Sequence, residues 1–396
     1  MGKLYELIQQ YCPNGVKYKA LSEIAPSKRG KRVVKSELSD SKGYPVYQNS
    51  LTPLGYYDKT NCKSGTTFII AAGAAGEIGY SNEDFWAADD CFYFVCPDCL
   101  NNRYLYHVLL SQYGKLKNFV RHGAVPRISR AHVDSVIIPL PPLLVQEKIA
   151  QTLDAFTELE NELNAELELR QKQYEYYRDN LLSLNDYNGE TETVALGGEN
   201  GLCTIVRGAS PRPIKNFITE DSINGVHWIK IGDVDTNAKY IEATKEYITK
   251  DGAKHSRFVK RGDFILSNSM SFGRPYILKI DGCIHDGWLA LSGFEDRVLP
   301  DYLYHALMSS DLQHEMKNKA ADGGCVSNLN SEIVSNIFIT IPKSLEDQQK
   351  IVDMLDKFDI LTTDTSKGIP AEIKMRHQQY EYYRNKLLAF ESKVGD

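Results

Sequence analysis

The sequence predicts an α+β protein: two mixed α/β globular domains separated by long helices that form an antiparallel coiled coil, the whole an internal pseudo-twofold repeat. Three observations lead there. The chain is written twice, with its segments in the same order. Each copy opens with short β-branched and aromatic runs bounded by Gly, Asn, Asp and Pro, and carries one helical run. Each copy then closes on a tract of helical periodicity.

The repeat is explicit. Residues 104–111 (YLYHVLLS) recur as 302–309 (YLYHALMS). A Gly-containing loop follows each, at 122–125 and 323–326, and then an Ile/Val-rich strand ending in proline, at 136–142 and 337–342. Residues 146–156 (QEKIAQTLDAF) return as 348–358 (QQKIVDMLDKF), and 173–184 (QYEYYRDNLLSL) as 379–390 (QYEYYRNKLLAF). The helical segments match nearly residue for residue, whereas 30–101 and 201–299 have diverged. One surface has been held to a common job and another released. The expected division is a globular domain over 1–140, a helical spacer over 141–185, a second domain over 186–340 and a second spacer over 341–396.

Within the globular regions, strands are expected at 67–72, 91–96, 226–231, 263–268 and 276–280, with the helical run near Tyr104 or Tyr302 completing each domain. The first spacer carries a heptad pattern: Ile149, Leu153, Phe156, Glu160, Leu163, Leu167, Arg170, Tyr174, Tyr177, Leu181 and Leu184. Nine of these eleven are apolar or aromatic, which argues for a coiled-coil seam. Glu160 and Arg170 interrupt it, either as a buried polar pair that fixes register or with both ends reaching water. At ~1.5 Å per residue the tract from 143 to 184 makes a rod of roughly 60 Å. The second spacer repeats the seam with Ile351, Leu355, Phe358, Tyr380, Tyr383 and Leu387. There Gly368 and Pro370 should break the helix, with Pro370 near the first turn of a new one running to Phe390.

Composition narrows the function. The chain has 42% hydrophobic and 25% charged residues, with no apolar run fit to cross a bilayer and no secretory pattern at its start, so a cytoplasmic protein with no membrane partner is expected. The eight cysteines are irregularly spaced, and the one Cys-x-x-Cys, Cys96 and Cys99, lacks a second knuckle. Reduced thiols are expected, with no metal and no cofactor. The net charge of −6 is unevenly placed: residues 146–184 hold nine acidic against four basic residues. Residues 17–35 hold seven basic against one acidic, and 115–132 five basic and no acidic. Positive patches kept apart from an acidic helical tract suit a nucleic-acid surface.

Together these residues resemble a known family. The second region runs through 207–213 (RGASPRP), 225–235 (GVHWIKIGDVD), 261–278 (RGDFILSNSMSFGRPYIL) and 284–292 (IHDGWLALS). This ordered set closely resembles the target-recognition domain of type I restriction-modification specificity subunits. The first region shows a variant series at 44–50, 55–58, 69–80 and 89–94. The resemblance implies two target-recognition domains that read the halves of a split, asymmetric site on double-stranded DNA. It implies helices that set the half-site spacing and bind two methyltransferase (modification) subunits, with motor-nuclease (restriction) subunits completing the complex. It implies no catalytic residue in this chain.

If the chain reads DNA, base contacts should come from Arg, Asn and Gln, and phosphate contacts from Lys, Arg and loop amides. In the first domain the candidates are Lys28, Arg29, Lys31, Arg32, Tyr47, Gln48, Asn49, Arg121, Arg127 and Arg130. In the second they are Arg207, Arg212, Lys215, Lys230, Lys254, His255, Asn268, Ser269 and Arg274. Two other readings compete. A self-contained restriction nuclease would use Asp301 with Glu315 and Lys317, although Asp301 also suits a helix cap. A coiled-coil scaffold without DNA would leave the basic clusters unexplained.

Overall fold

A computed structural model describes residues 2–234, 238–268, 273–321 and 329–393. The chain divides into two compact units, Met1–Glu162 with Ile373–Asp396, and Leu163–Glu372. One helix, Leu143–Ser183, contributes to both.

In the first unit the buried run Thr66–Ile70 is β-branched and aromatic, the composition of a strand covered on both faces. It lies at the centre of an antiparallel sheet in the order Lys28–Arg29, Cys91–Tyr93, Thr66–Ile70, Ile78–Ser81. A second, mixed sheet joins Tyr56–Tyr57, Tyr44–Tyr47 and Trp86–Ala87. The helix Asn102–Ser111 is capped by the Asn101 side chain and packs Leu105, Val108 and Leu109 into the core. Val145, Ile149 and Leu153 of the first long helix and Leu387 of the helix Ile369–Leu388 meet them there.

The second unit follows a similar plan with more strands. Its main sheet runs Thr204–Arg207, Trp288–Ser292, Phe264–Ser267, Pro275–Leu278, Tyr240–Ile241. A further five-stranded sheet is built on Val226–Ile229 and Gly282–Ile284, which pair in parallel. The helix Pro300–Leu307 and the helix Leu345–Thr363 pack Leu303, Leu307, Ile351, Val352 and Leu355 against Tyr174. All five expected strands are present, each shorter than its apolar run.

Each unit also carries a buried polar node. In the first, His107 Nε2 lies 2.7 Å from Asp154 and its Nδ1 lies 3.3 Å from the Tyr380 hydroxyl. In the second, His305 Nε2 lies 2.8 Å from Asp356 and its Nδ1 lies 2.9 Å from the Tyr174 hydroxyl. A carboxylate only accepts, so Nε2 carries the proton and the tyrosine donates to Nδ1. Burial opposes ionisation of Asp154, but the bonds from His107 and Arg103 outweigh it and hold the carboxyl below its usual value. Asp356 follows the same balance, with His305 and Lys239 as its donors. The tyrosines are exchanged: Tyr174, from the first copy of the repeat, completes the second unit, and Tyr380 completes the first. Ring stacks follow suit, Phe156 on Tyr383 at 5.5 Å and Tyr177 on Phe358 at 5.4 Å.

The heptad reading needs amendment. The seam residues near the ends of the first long helix are consumed by globular cores, Ile149, Leu153 and Phe156 with Tyr380, Tyr383 and Leu387 in one, Tyr174 and Leu181 with Ile351, Leu355 and Phe358 in the other. Leu163 and Leu167 between them are half-buried, and Tyr177 stays 40% exposed. In the first unit the long helix and the C-terminal helix run antiparallel, since Phe156 meets Tyr383 while Glu160 reaches back to His377, 3.1 Å away. Arg170 instead bonds along its own helix, to Glu166 and Gln173. The break at Gly368 occurs as expected: one helix ends at Thr363, Asp364 caps the turn through the amides of Ser366 and Lys367, and the next begins at Ile369 and ends at Leu388.

Candidate nucleic-acid interface

The main sheet of the first unit carries two of the candidate residues on its edge. Lys28 and Arg29 form its edge strand and are exposed. Arg29 Nε donates to the Asp89 carbonyl at 2.7 Å, and the next amide, Gly30, donates to the Cys91 carbonyl at 3.0 Å. Lys31 continues alongside Ala87, its carbonyl accepting from the Trp86 indole at 2.8 Å, and Arg32 follows it, exposed.

Around this edge the loops converge. After Thr66–Ile70 the chain turns through Gly73 and Gly76, both in the left-handed region that a side chain resists. Asn49 takes the Ala74 amide on its carbonyl, and a Cβ on Gly73 would press on Asn49, so the Gln48–Asn49 segment lies against that turn. Arg121 and Arg127 pair backbone to backbone, and the Ala71 carbonyl accepts from the Ile128 amide. The Arg127 guanidinium lies 3.8 Å from Asp90. Arg130 is engaged separately, by Asp134 at 3.3 Å. Tyr47 packs on Phe68 and Phe85, so its ring is largely a core group.

The second unit gathers three of its candidates on Asp286. Arg207 Nε donates to the Asp286 carbonyl at 3.1 Å, and Gly208 donates to the Trp288 carbonyl at 2.9 Å. Ser210 donates to the Asp286 carboxylate at 2.8 Å, Arg212 lies 3.8 Å from it, and the Asn268 amide donates to the Asp286 carbonyl at 2.9 Å. The Ser210 bond holds the Asp286 carboxyl below its usual value against the opposing effect of burial. Beside it lies a cleft of about 410 Å³ lined by Lys215, Lys230, His285 and Asp286 among others. Lys230 is paired with Glu246 at 2.6 Å, and Lys254 with Asp251 at 2.8 Å. His255 is exposed near Phe217, next to Ser256, whose hydroxyl reaches the Ala209 carbonyl. Arg274 does not join this group: half-buried, it faces the Tyr276 ring at 5.8 Å and acts on Tyr304 and Asp359. Ser269 lies outside the described residues.

Sequence reading passed over Asp286 and Ser210, because an acid inside a basic cluster looks like a turn residue. Arg29 and Arg207 stand among the candidates, but their matched anchoring is hidden in the sequence, since the partners are carbonyls and the segments 88–91 (ADDC) and 285–288 (HDGW) share little.

The carboxylates of the nuclease reading are occupied elsewhere. Asp301 does not cap its helix, whose N-cap is Leu299; it pairs with Lys239 at 2.8 Å and accepts from Tyr240. Glu315 pairs with Lys319 at 2.7 Å. Cys91 is buried and donates to the Tyr47 carbonyl, burial pushes the Cys96 thiol up to about 12, and Cys99 is exposed. Among the described residues no His, Cys, Asp or Glu group is arranged to hold a metal, and no helix is long and apolar enough to cross a membrane.

Comparison with known proteins decides the family. The profile of the type I restriction modification DNA specificity domain matches residues 13–169 and 190–375. The chain belongs to that family. A Haemophilus influenzae protein named as a type I restriction enzyme specificity subunit is 32% identical over 95% of this chain and 96% of its own. The specificity subunit of the Escherichia coli EcoR124I/EcoR124II enzyme is 33% identical over 66% of this chain and 65% of its own. The crystal structure of a Mycoplasma genitalium S subunit shares the fold, with a TM-score of 0.57 at 18% identity, covering 94% of this chain and 96% of that one. As a specificity subunit, this chain supplies DNA recognition and directs partner subunits that methylate or cleave. Its DNA-recognition role removes the DNA-free scaffold reading, and as a non-catalytic component it is not a self-contained nuclease.

Proposed function

We propose that this specificity subunit reads a split, asymmetric DNA sequence, one half through residues 1–140 and the other through 186–340. An internal pseudo-twofold repeat with antiparallel helices sets the distance between the half-sites. One observation carries the reading: two regions of unlike sequence each place an exposed Arg-Gly edge among basic loop residues. Arg29, Gln48, Asn49, Arg121 and Arg127 cluster in the first, and Arg207, Arg212, Asn268 and Lys215 in the second. Two modification subunits dock on the helical tracts. A groove of about 580 Å³ among Tyr177, Leu181, Met354, Phe358 and Leu361 offers apolar surface for one, with Met354 43% and Leu361 37% exposed. Motor-nuclease subunits complete the enzyme in this reading; the H. influenzae and E. coli relatives are named as specificity subunits of type I restriction enzymes.

The test is methylation-sensitive long-read sequencing of host DNA with this chain intact and deleted. Loss of adenine methylation at one split, asymmetric motif is expected. Unchanged methylation, with the partner methyltransferase expressed, refutes the reading.

A further inference from the structure

We infer that Arg29 and Arg207 do one job in two domains: each is a sequence-independent clamp on a DNA phosphate, held in its firing position by a backbone carbonyl. This rests on reading the two basic faces as DNA-facing. The construction is the same in each unit, considered separately. An arginine ends the first strand of the main sheet, and its Nε is spent on the carbonyl of Asp89 or Asp286. A glycine follows, whose amide bonds the carbonyl two residues beyond that aspartate. Neither glycine has room for a side chain: a Cβ would lie 2.1 Å from the Ala88 carbonyl at Gly30 and 2.0 Å from the His285 carbonyl at Gly208.

This geometry has a chemical consequence. Tying down Nε fixes the plane of the guanidinium and leaves both terminal nitrogens of an exposed side chain as a two-pronged donor. The rotamer freedom that a free arginine would lose on binding is already largely lost. Such a fork fits a guanine edge or a phosphate equally well, so the assignment turns on what the two domains share. A contact built identically in both cannot make two half-sites differ, whereas phosphate contacts fix register without reading sequence. Discrimination is left to neighbours that do differ: Gln48, Asn49 and Arg127 on one side, Ser210, Arg212 and Lys215 on the other. Because the anchor is a main-chain oxygen, the turn at 88–91 is free to differ in sequence from that at 285–288 while the clamp survives.

The experiment uses the full chain assembled with its modification subunits. Binding to a mixed-sequence duplex is measured across a salt series, and the methylated motif is read by sequencing. Arg29→Gln and Arg207→Gln are each expected to weaken binding and to make the log–log salt slope shallower by about 0.9, leaving the motif unchanged. Arg29→Lys and Arg207→Lys keep the charge but lose the Nε anchor, so they should keep the slope and still bind more weakly than the parent. They also carry the test if a Gln variant fails to fold. A motif relaxed at one half in either Gln variant would make that arginine a base reader and overturn the inference. So would parental affinity and slope in both, while Arg127→Gln on the face of Arg29 and Arg212→Gln on the face of Arg207 weaken binding. If those two variants are silent as well, the faces themselves have been misassigned and the inference falls with them.

Discussion

Replacing Gln348 by leucine removes one side chain's worth of polarity from a fully buried position and leaves its volume nearly intact. The Gln348 amide is used completely: its oxygen accepts from the Leu299 amide at 2.8 Å, and its nitrogen donates to the carbonyls of Arg297 and Pro342 at 3.0 and 2.8 Å. It therefore rivets the helix Leu345–Thr363 to the end of one strand and to the start of the helix Pro300–Leu307. Gln348→Leu strands three main-chain groups at about 1 kcal/mol or more each, so the expected loss is about 3 kcal/mol. In a unit of this size that lowers the thermal midpoint by roughly 6–12 °C. Differential scanning calorimetry of the full chain measures it. Gln146 makes the matching bonds in the first unit, to Asn101, Cys99 and Pro141, so Gln146→Leu should depress stability similarly. A loss below about 1 kcal/mol in both variants would show that water or backbone adjustment satisfies these groups, and the rivet argument would fail.

Three further outcomes are expected. Lys31→Ala and Arg32→Ala should weaken binding to mixed-sequence duplex and flatten its salt dependence, each by up to about 0.9 in slope, and an unchanged slope would remove them from the phosphate-contacting set. A four-residue insertion near Asn164 adds about 6 Å of helix and ~40° of rotation beyond one turn, so sequencing of methylated DNA should show altered half-site spacing with both half-sites intact. An unaltered spacing would defeat the ruler. Burial lowers the His107 imidazole below its ordinary value near 6.5, with Asp154 pulling the other way. The folded protein therefore binds this proton less readily than the unfolded chain, and the stability is present above the ordinary value and lost as pH falls through the folded one. Thermal midpoints taken from about pH 7 to about pH 5 should fall, and His107→Gln should flatten that fall; parallel curves would contradict the assignment.

Periodicity and punctuation made the elements legible. Alternating or continuous β-branched runs marked Thr66–Ile70 and Phe264–Ser267, the heptad marked Leu143–Ser183, and Gly368 with Pro370 marked where the second tract breaks. What periodicity does not carry is the identity of a partner. A seam of large residues has the same signature in a bare coiled coil as in a helix whose ends dock into globular cores, and Ile149 and Leu355 do the latter. The candidate surface was legible as composition but not as geometry. Basic clusters picked out Arg29 and Arg207, while the carbonyls that aim them leave no mark in side-chain sequence. Arg274 carries the same charge as Arg212, yet it is half-buried and faces the Tyr276 ring, 5.8 Å away.

The exchange of tyrosines gives a physical reason for the uneven divergence of the two copies. His107 and Asp154 come from the first copy, but the hydroxyl that completes their node comes from Tyr380 in the second. His305 and Asp356 depend in turn on Tyr174. A repeat is thus not the unit of packing: each buried node needs both copies to keep the same residue types in the same places. Losing a hydroxyl from either tract would leave a buried imidazole nitrogen unpaired in the unit built mainly from the other copy, at about 1–3 kcal/mol. The helical tracts are bound to one another by this reciprocity and stay nearly identical. Residues 30–101 and 201–299 each lie wholly within one unit and contribute no histidine, aspartate or tyrosine to these nodes, so they are free to drift apart. The chain thus has its constraint and its freedom in separate segments: the helical tracts keep the nodes, and 30–101 and 201–299 are left to diverge.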